Sequence, residues 1–127
     1  MTNKIDPKYI DVPNICFSLT EKTDDREEEF SKQRIDHGFD ESETWSLDHT
    51  IARFILPRIK EFWRIEQKVT MMKSQEELEY KESMPKIIRA FELIVRDNDS
   101  RIWNEQEEKE YEEGIDLFAK YLLWMWW

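Results

Sequence analysis

From residue 47 onward, apolar side chains recur at the spacing of helix faces. Leu47, Ile51, Phe54, Ile55, Ile59, Phe62 and Ile65 gather on one broad face of a helix expected over 47–67. Ser46 stands where an N-cap belongs, and Asp48 sits in the first turn, at the positive end of the dipole. Ser74 with Glu77 forms a capping box for a further helix, and Asn104 with Glu107 offers another for a last helix from 105 to the end. Pro57 predicts a kink or break, and Pro85 a division of its helix, with Ser83 able to recap the second part. A charged helix over 24–35 is ended by Gly38. Residues 1–23 lack this period and hold Pro7 and Pro13. There Ile10, Val12, Ile15, Phe17 and Leu19 suggest an extended arm laid across the body, with scope for a short strand pairing. The expected fold is therefore all-α. It is a compact helical bundle of four to five helices, with the arm over 1–23 and a single helical domain over 24–127.

Polar residues that interrupt the pattern mark candidate chemistry. On an ideal helix Arg58 falls between Ile51 and Phe54, inside the apolar stripe, unless Pro57 turns it outward. Inside, it would need an anion. Asp48 leans toward the same face but lies about 15 Å away along the helix. Glu92, Glu112 and Asp116 stand at the margins of their own apolar faces and are the better internal candidates to pair with Arg58. On the opposite face Arg53, Lys60 and Arg64 share a line, with Leu56 and Trp63 alongside. Residues 49–68 hold five bases and two acids, a local +3. Lys60 and Arg64 repel at their spacing, so an anion is expected to offset them. Acidic clusters of this chain or a neighbouring subunit could do so. A phosphate-bearing ligand held by Arg53, Arg58, Lys60 and Arg64, its base stacked on Trp63, could do so equally.

The last helix is apolar nearly all round. Tyr111, Ile115, Phe118, Ala119, Leu122 and Trp126 form one face, while Leu117, Trp124 and Trp127 lie toward the reverse. Such a helix is central in its domain or shared between subunits. Trp124, Trp126 and Trp127 are the expected interface residues of a homo-oligomer or a partner complex.

Composition narrows the classes. The chain of 127 residues carries a formal charge of −10, which opposes nonspecific nucleic-acid binding. Acids concentrate at 24–29, net −4, and at 104–113, net −5, in patterns that solvated helix faces explain. Two Gly residues, Gly38 and Gly114, preclude a Gly-rich phosphate loop, and the one cysteine, Cys16, precludes an internal disulfide or a Cys-cluster zinc site. His37 and His49 belong to no metal-ligand spacing. No catalytic residue, metal or cofactor is expected. No charged-then-apolar leader opens the chain, and no apolar run approaches the ~18 residues of a membrane span. A cytoplasmic protein without membrane contact is expected. The enzymatic alternative places Mg²⁺ on Glu108, Glu112, Glu113 and Asp116. That arrangement resembles all-α nucleoside-triphosphate pyrophosphohydrolases, although their E-E-x-x-E element is matched only by Glu76, Glu77 and Glu79, off by one position.

The run WSLDHTIARFILPRIKEF at 45–62, AFE at 90–92 and EGIDLFAKY at 113–121 resemble, in this order, segments of a family of short acidic proteins from tailed bacteriophages. The likeness covers roughly residues 45–127 and carries no assigned activity. Asp48, Arg58, Glu92 and Asp116 lie within the matching segments, and the resemblance implies that they could form one buried network or line one pocket. It implies action inside an infected host cell, against a host component. The expectation is a non-enzymatic protein that sequesters a phosphorylated small ligand such as a nucleotide signal. The alternative is an acidic inhibitor that binds a host enzyme or defence protein.

Overall fold

The computed structural model describes residues 14–69, 74–96 and 102–126. Four α-helices run through them: α1 Glu27–His37, α2 Leu47–Val69, α3 Gln75–Arg96 and α4 Glu105–Tyr121. Short 3₁₀ turns occupy Glu41–Thr44 and Leu122–Trp124. No strand occurs among the described residues, so the all-α class expected from the 3.6-residue period is the class observed. The chain divides into two compact units, Met1–Phe54 and Ile55–Trp127, with the boundary inside α2.

In the first unit α1 is organised by charge. Glu27, Glu28 and Glu29 fill its first turn, and Arg34 and His37 stand in its last, as the helix dipole favours. Gly38 adopts φ 88° and donates its N–H to the Arg34 carbonyl, a turn that a side chain would strain. The arm reaches this unit as irregular chain, and Phe17 is buried at its centre, edge-on to Phe54. The strand pairing considered for the arm does not occur among the described residues. Side chains of the Glu41–Thr44 turn meet its amides instead: Glu43 accepts from Phe17 N at 3.0 Å, and Ser42 Oγ from Leu19 N at 2.8 Å. Residues 1–13 of the expected arm lie outside the described residues.

The second unit rests on α3 and α4. Asn104 and Glu107 form the expected capping box at the start of α4, and Ser74 Oγ accepts from Glu77 N at 3.1 Å ahead of α3. The break allowed for at Pro57 is absent, because α2 runs through it, and the division at Pro85 is corrected likewise. Ser83 does not recap; its hydroxyl donates to the Glu79 carbonyl at 2.7 Å within α3. A mid-helix proline costs about 3 kcal/mol. Around Pro85 that cost is outweighed by burial of Met84, Ile87, Ile88 and Phe91, at roughly 1.5–3 kcal/mol for each large apolar side chain.

Helices α3 and α4 run antiparallel. Lys86 pairs with Glu113, Arg89 with Glu110 and Arg96 with Glu107, so positions rise on one helix as they fall on the other. They touch most closely at Gly114, where a Cβ would lie 2.5 Å from both Ala90 Cβ and the Lys86 carbonyl oxygen. Phe91 meets Phe118 edge-on beside this contact, and Tyr80 meets Tyr121 further along. Nine residues of α3 are buried, against only Gly114 and Tyr121 of α4. The last helix is therefore not central in its unit, as its all-round apolar character allowed; that place belongs to α3.

Gly114→Ala should destabilise the protein. Alanine gains about 1 kcal/mol in helix propensity, but overpacking against backbone costs roughly 1–3 kcal/mol, and a 2.5 Å approach belongs at the upper end. Chemical denaturation should show a net loss of about 2 kcal/mol. An unchanged or raised midpoint would mean that the helices separate there without cost.

Candidate functional site

The residues expected to hold a phosphorylated ligand are divided between the two units. Arg53, in the first unit, is half-buried and stacks over the Phe17 ring at 5.4 Å. Arg58, Lys60 and Arg64 are exposed on the part of α2 that belongs to the second unit, and Trp63 is half-buried among them. The Arg64 guanidinium is engaged by Glu61 through both carboxylate oxygens, with Nε at 3.0 and 3.1 Å. The anion that offsets the Lys60–Arg64 repulsion thus includes a neighbour three residues away.

Arg58 is exposed rather than set inside an apolar stripe. The reason is visible beside it: Ile51 and Phe54, the two residues that bracket its angle, are themselves 45% and 47% exposed. That sector of α2 is uncovered, and a guanidinium there keeps its water. Asp48 and Asp116 are also exposed and Glu92 is half-buried. The carboxylates of the enzymatic alternative do not close on a metal either. Glu113 is taken by Lys86 at 2.7 Å, and no group of three or more His, Cys, Asp or Glu side chains among the described residues could hold a metal ion.

Two other polar clusters are buried, one in each unit. In the first, Arg34 binds Glu27 and, at 2.6 Å, Asp40. Asp40 also accepts from the Ser18 and Ser42 hydroxyls and from Ser42 N at 2.8 Å. Burial pushes the Asp40 carboxyl up, but these hydrogen bonds outweigh it and hold it below the usual range. Glu27 is held down by Arg34. This cluster is structural: its carboxylates are engaged throughout, only Arg34 Nε is left buried without a partner, and it ties the arm and the Glu41–Thr44 turn to α1.

The second cluster is left open. Glu66 of α2 is 3% exposed, and its Oε2 accepts from the Tyr80 hydroxyl at 2.8 Å. Its Oε1 is buried with no hydrogen-bond partner. Burial raises the carboxyl above the ordinary Glu value of 4.5, and neither the Tyr80 hydroxyl nor nearby Lys81 fully restores it. Tyr80 is raised in turn, by burial and by Glu66. Both residues line a cavity of ≈ 510 Å³ together with Glu77, Lys81, Leu123, Trp124 and Trp126. The Tyr80, Tyr121 and Trp124 rings stand mutually 5.4 Å apart behind it. Glu66 lies four residues from Phe62 and seven from Ile59, on the apolar side of α2. The same spacing that drew attention to Arg58 marks it as a charge on the buried face.

Of the expected interface residues, Trp124 lines this cavity and is half-buried, and Trp126 is 77% exposed at its rim. Trp127 lies outside the described residues. Leu123 is 86% exposed and Leu122 50%. No helix among the described residues is long and apolar enough to cross a membrane. Comparison with family models, with curated proteins and with solved structures returns no match.

The half-satisfied carboxylate has a stability signature. A raised acid binds more protons folded than unfolded, so its contribution falls as pH rises above 4.5 toward the folded value and stays low beyond it. Glu66→Gln keeps an acceptor for Tyr80 and removes the buried charge. Thermal melts should show the variant more stable than the parent at pH 7, with the gap closing toward pH 4.5. A less stable variant at neutral pH would contradict an unpaired charge at this position. The first unit runs the other way: Asp40 and Glu27, held low, lose their contribution on acidification.

Proposed function

We propose that this protein acts by binding, without catalysis, and that its partner is a protein docked on the apolar surface of the C-terminal turn. The observation that carries this is the joint exposure of Leu122, Leu123 and Trp126 around an aromatic cavity. Covering a large apolar side chain stabilises a complex by roughly 1.5–3 kcal/mol before ordering costs. Three such groups beside a pocket form the kind of anchor cluster that dominates interfaces. The charge of −10 favours a partner with a basic surface and disfavours a second copy, which carries the same charge. The resemblance to short acidic proteins of tailed bacteriophages supports a host component as the target and neutralisation as the result.

A second reading keeps the phosphorylated small ligand, such as a nucleotide signal, on Arg58, Lys60, Trp63 and Arg64. It is favoured by their shared placement on one stretch of α2 with three cations exposed. Isothermal titration with cyclic nucleotides and cyclic-ADP-ribose isomers tests it. Binding weakened by Lys60→Glu supports it, and no heat at tens of micromolar protein removes it.

The docking reading predicts that immobilised protein captures one stoichiometric protein from a bacterial lysate, and that Leu123→Asp loses it while retaining the helical spectrum. Equal capture by both contradicts it. Sedimentation decides the other occupant: a dimer that Leu123→Asp dissociates would assign the surface to a second copy and the homo-oligomer to solution.

A further inference from the structure

We propose that the cavity beside the C-terminal turn receives the side chain of an arginine from the docked partner, with Glu66 as its counterion and the surrounding rings as its walls. This rests on the docking reading and specifies what that surface recognises. Three observations on separate elements meet here. Glu66, on α2, offers a buried oxygen with no partner. Tyr80, on α3, fixes the other oxygen at 2.8 Å and so holds the carboxylate in one orientation. Trp124 and Trp126, on the tail, supply indole faces along the same cavity of ≈ 510 Å³.

An acid and two indoles lining one cavity select for a cation with an apolar stem. The ring quadrupole attracts positive charge, and the carboxylate accepts a charge-assisted hydrogen bond. A neutral donor would satisfy Oε1 without the charge assistance, and an anionic occupant would add repulsion. Glu77 and Lys81 also line the cavity, four residues apart on α3 in the order that favours mutual pairing. With Glu66 ionised, the three charged side chains sum to −1, so the lining itself favours a cation. Arginine suits the site better than lysine. Its flat guanidinium stacks on indole while its N–H groups reach a single acceptor, and it gives up less hydration than an ammonium.

Occupancy would also draw the proton from Glu66. Burial now disfavours its charge, and an adjacent guanidinium restores it. Tyr80, Glu77 and Lys81 are the other titratable groups lining the cavity.

The test uses the full chain, N-acetyl-arginine amide and its neutral isostere N-acetyl-citrulline amide, followed through the indole N–H resonances of Trp124 and Trp126. The expected result is saturable shifts with the arginine probe in the millimolar range and at least about tenfold weaker binding of citrulline, as for a charge-assisted hydrogen bond. Glu66→Gln should remove the difference between the probes. Equal binding of both by the parent, no shift with either, or an unchanged preference in Glu66→Gln would each overturn the proposal. Should the variant misfold, the arginine–citrulline comparison on the parent decides alone. The two readings fail separately. Capture lost in Leu123→Asp without arginine preference sinks the pocket and leaves the docking surface; arginine preference with capture intact in Leu123→Asp does the reverse.

Discussion

The second unit depends on one absence, the missing side chain at Gly114. Because no Cβ stands there, α4 lies directly on the Ala90 and Lys86 backbone of α3. Close approach at that point lets Phe91 and Phe118 meet edge-on, and it brings Tyr121 to Tyr80 further along. The tail that follows Tyr121 then leaves α4 as a 3₁₀ turn, which sets Trp124 against Tyr80. A larger residue at position 114 would push α4, and with it the tail that lines the cavity, away from α3.

The buried acids show how the same chemistry separates scaffold from site. In the first unit the carboxylates of Asp40 and Glu43 are used at both oxygens, by hydroxyls, backbone N–H groups and Arg34. Each such bond ties two segments together, and only Arg34 Nε of that cluster is left without a partner. Glu66 is comparably buried but is engaged at only one of its two oxygens. An oxygen left in that condition costs stability, on the order of 1–3 kcal/mol for an unmade hydrogen bond. Proteins tolerate such a cost chiefly where a ligand or partner later removes it.

Much of the fold was legible in the sequence, and the exceptions have physical causes. The capping residues Asn104 and Glu107 and the Gly38 stop act locally, so they read correctly from neighbours alone. Pro85 misled because a local cost was weighed without the burial that opposes it. The second buried cluster could have been found, since Glu66 falls on the apolar side of its helix at the spacing of Ile59 and Phe62. Arg58 drew attention on the same logic, but its sector of α2 is uncovered, and coverage is a tertiary property that spacing does not contain. Arg34 was illegible for the opposite reason. It sits in a helix with no apolar stripe, and its partners Asp40 and Ser18 come from segments that a linear scan does not bring together.

The central claim is that Glu66 waits as an unpaired buried acceptor for a positive group. The most direct measurement is the pH titration of its side-chain carboxyl carbon by NMR, first alone and then with saturating N-acetyl-arginine amide. The account predicts a midpoint above the ordinary Glu value of 4.5 in the free protein, and a fall toward or below that value when the probe is bound. A free midpoint at or under 4.5, or one that the probe does not move, would contradict it.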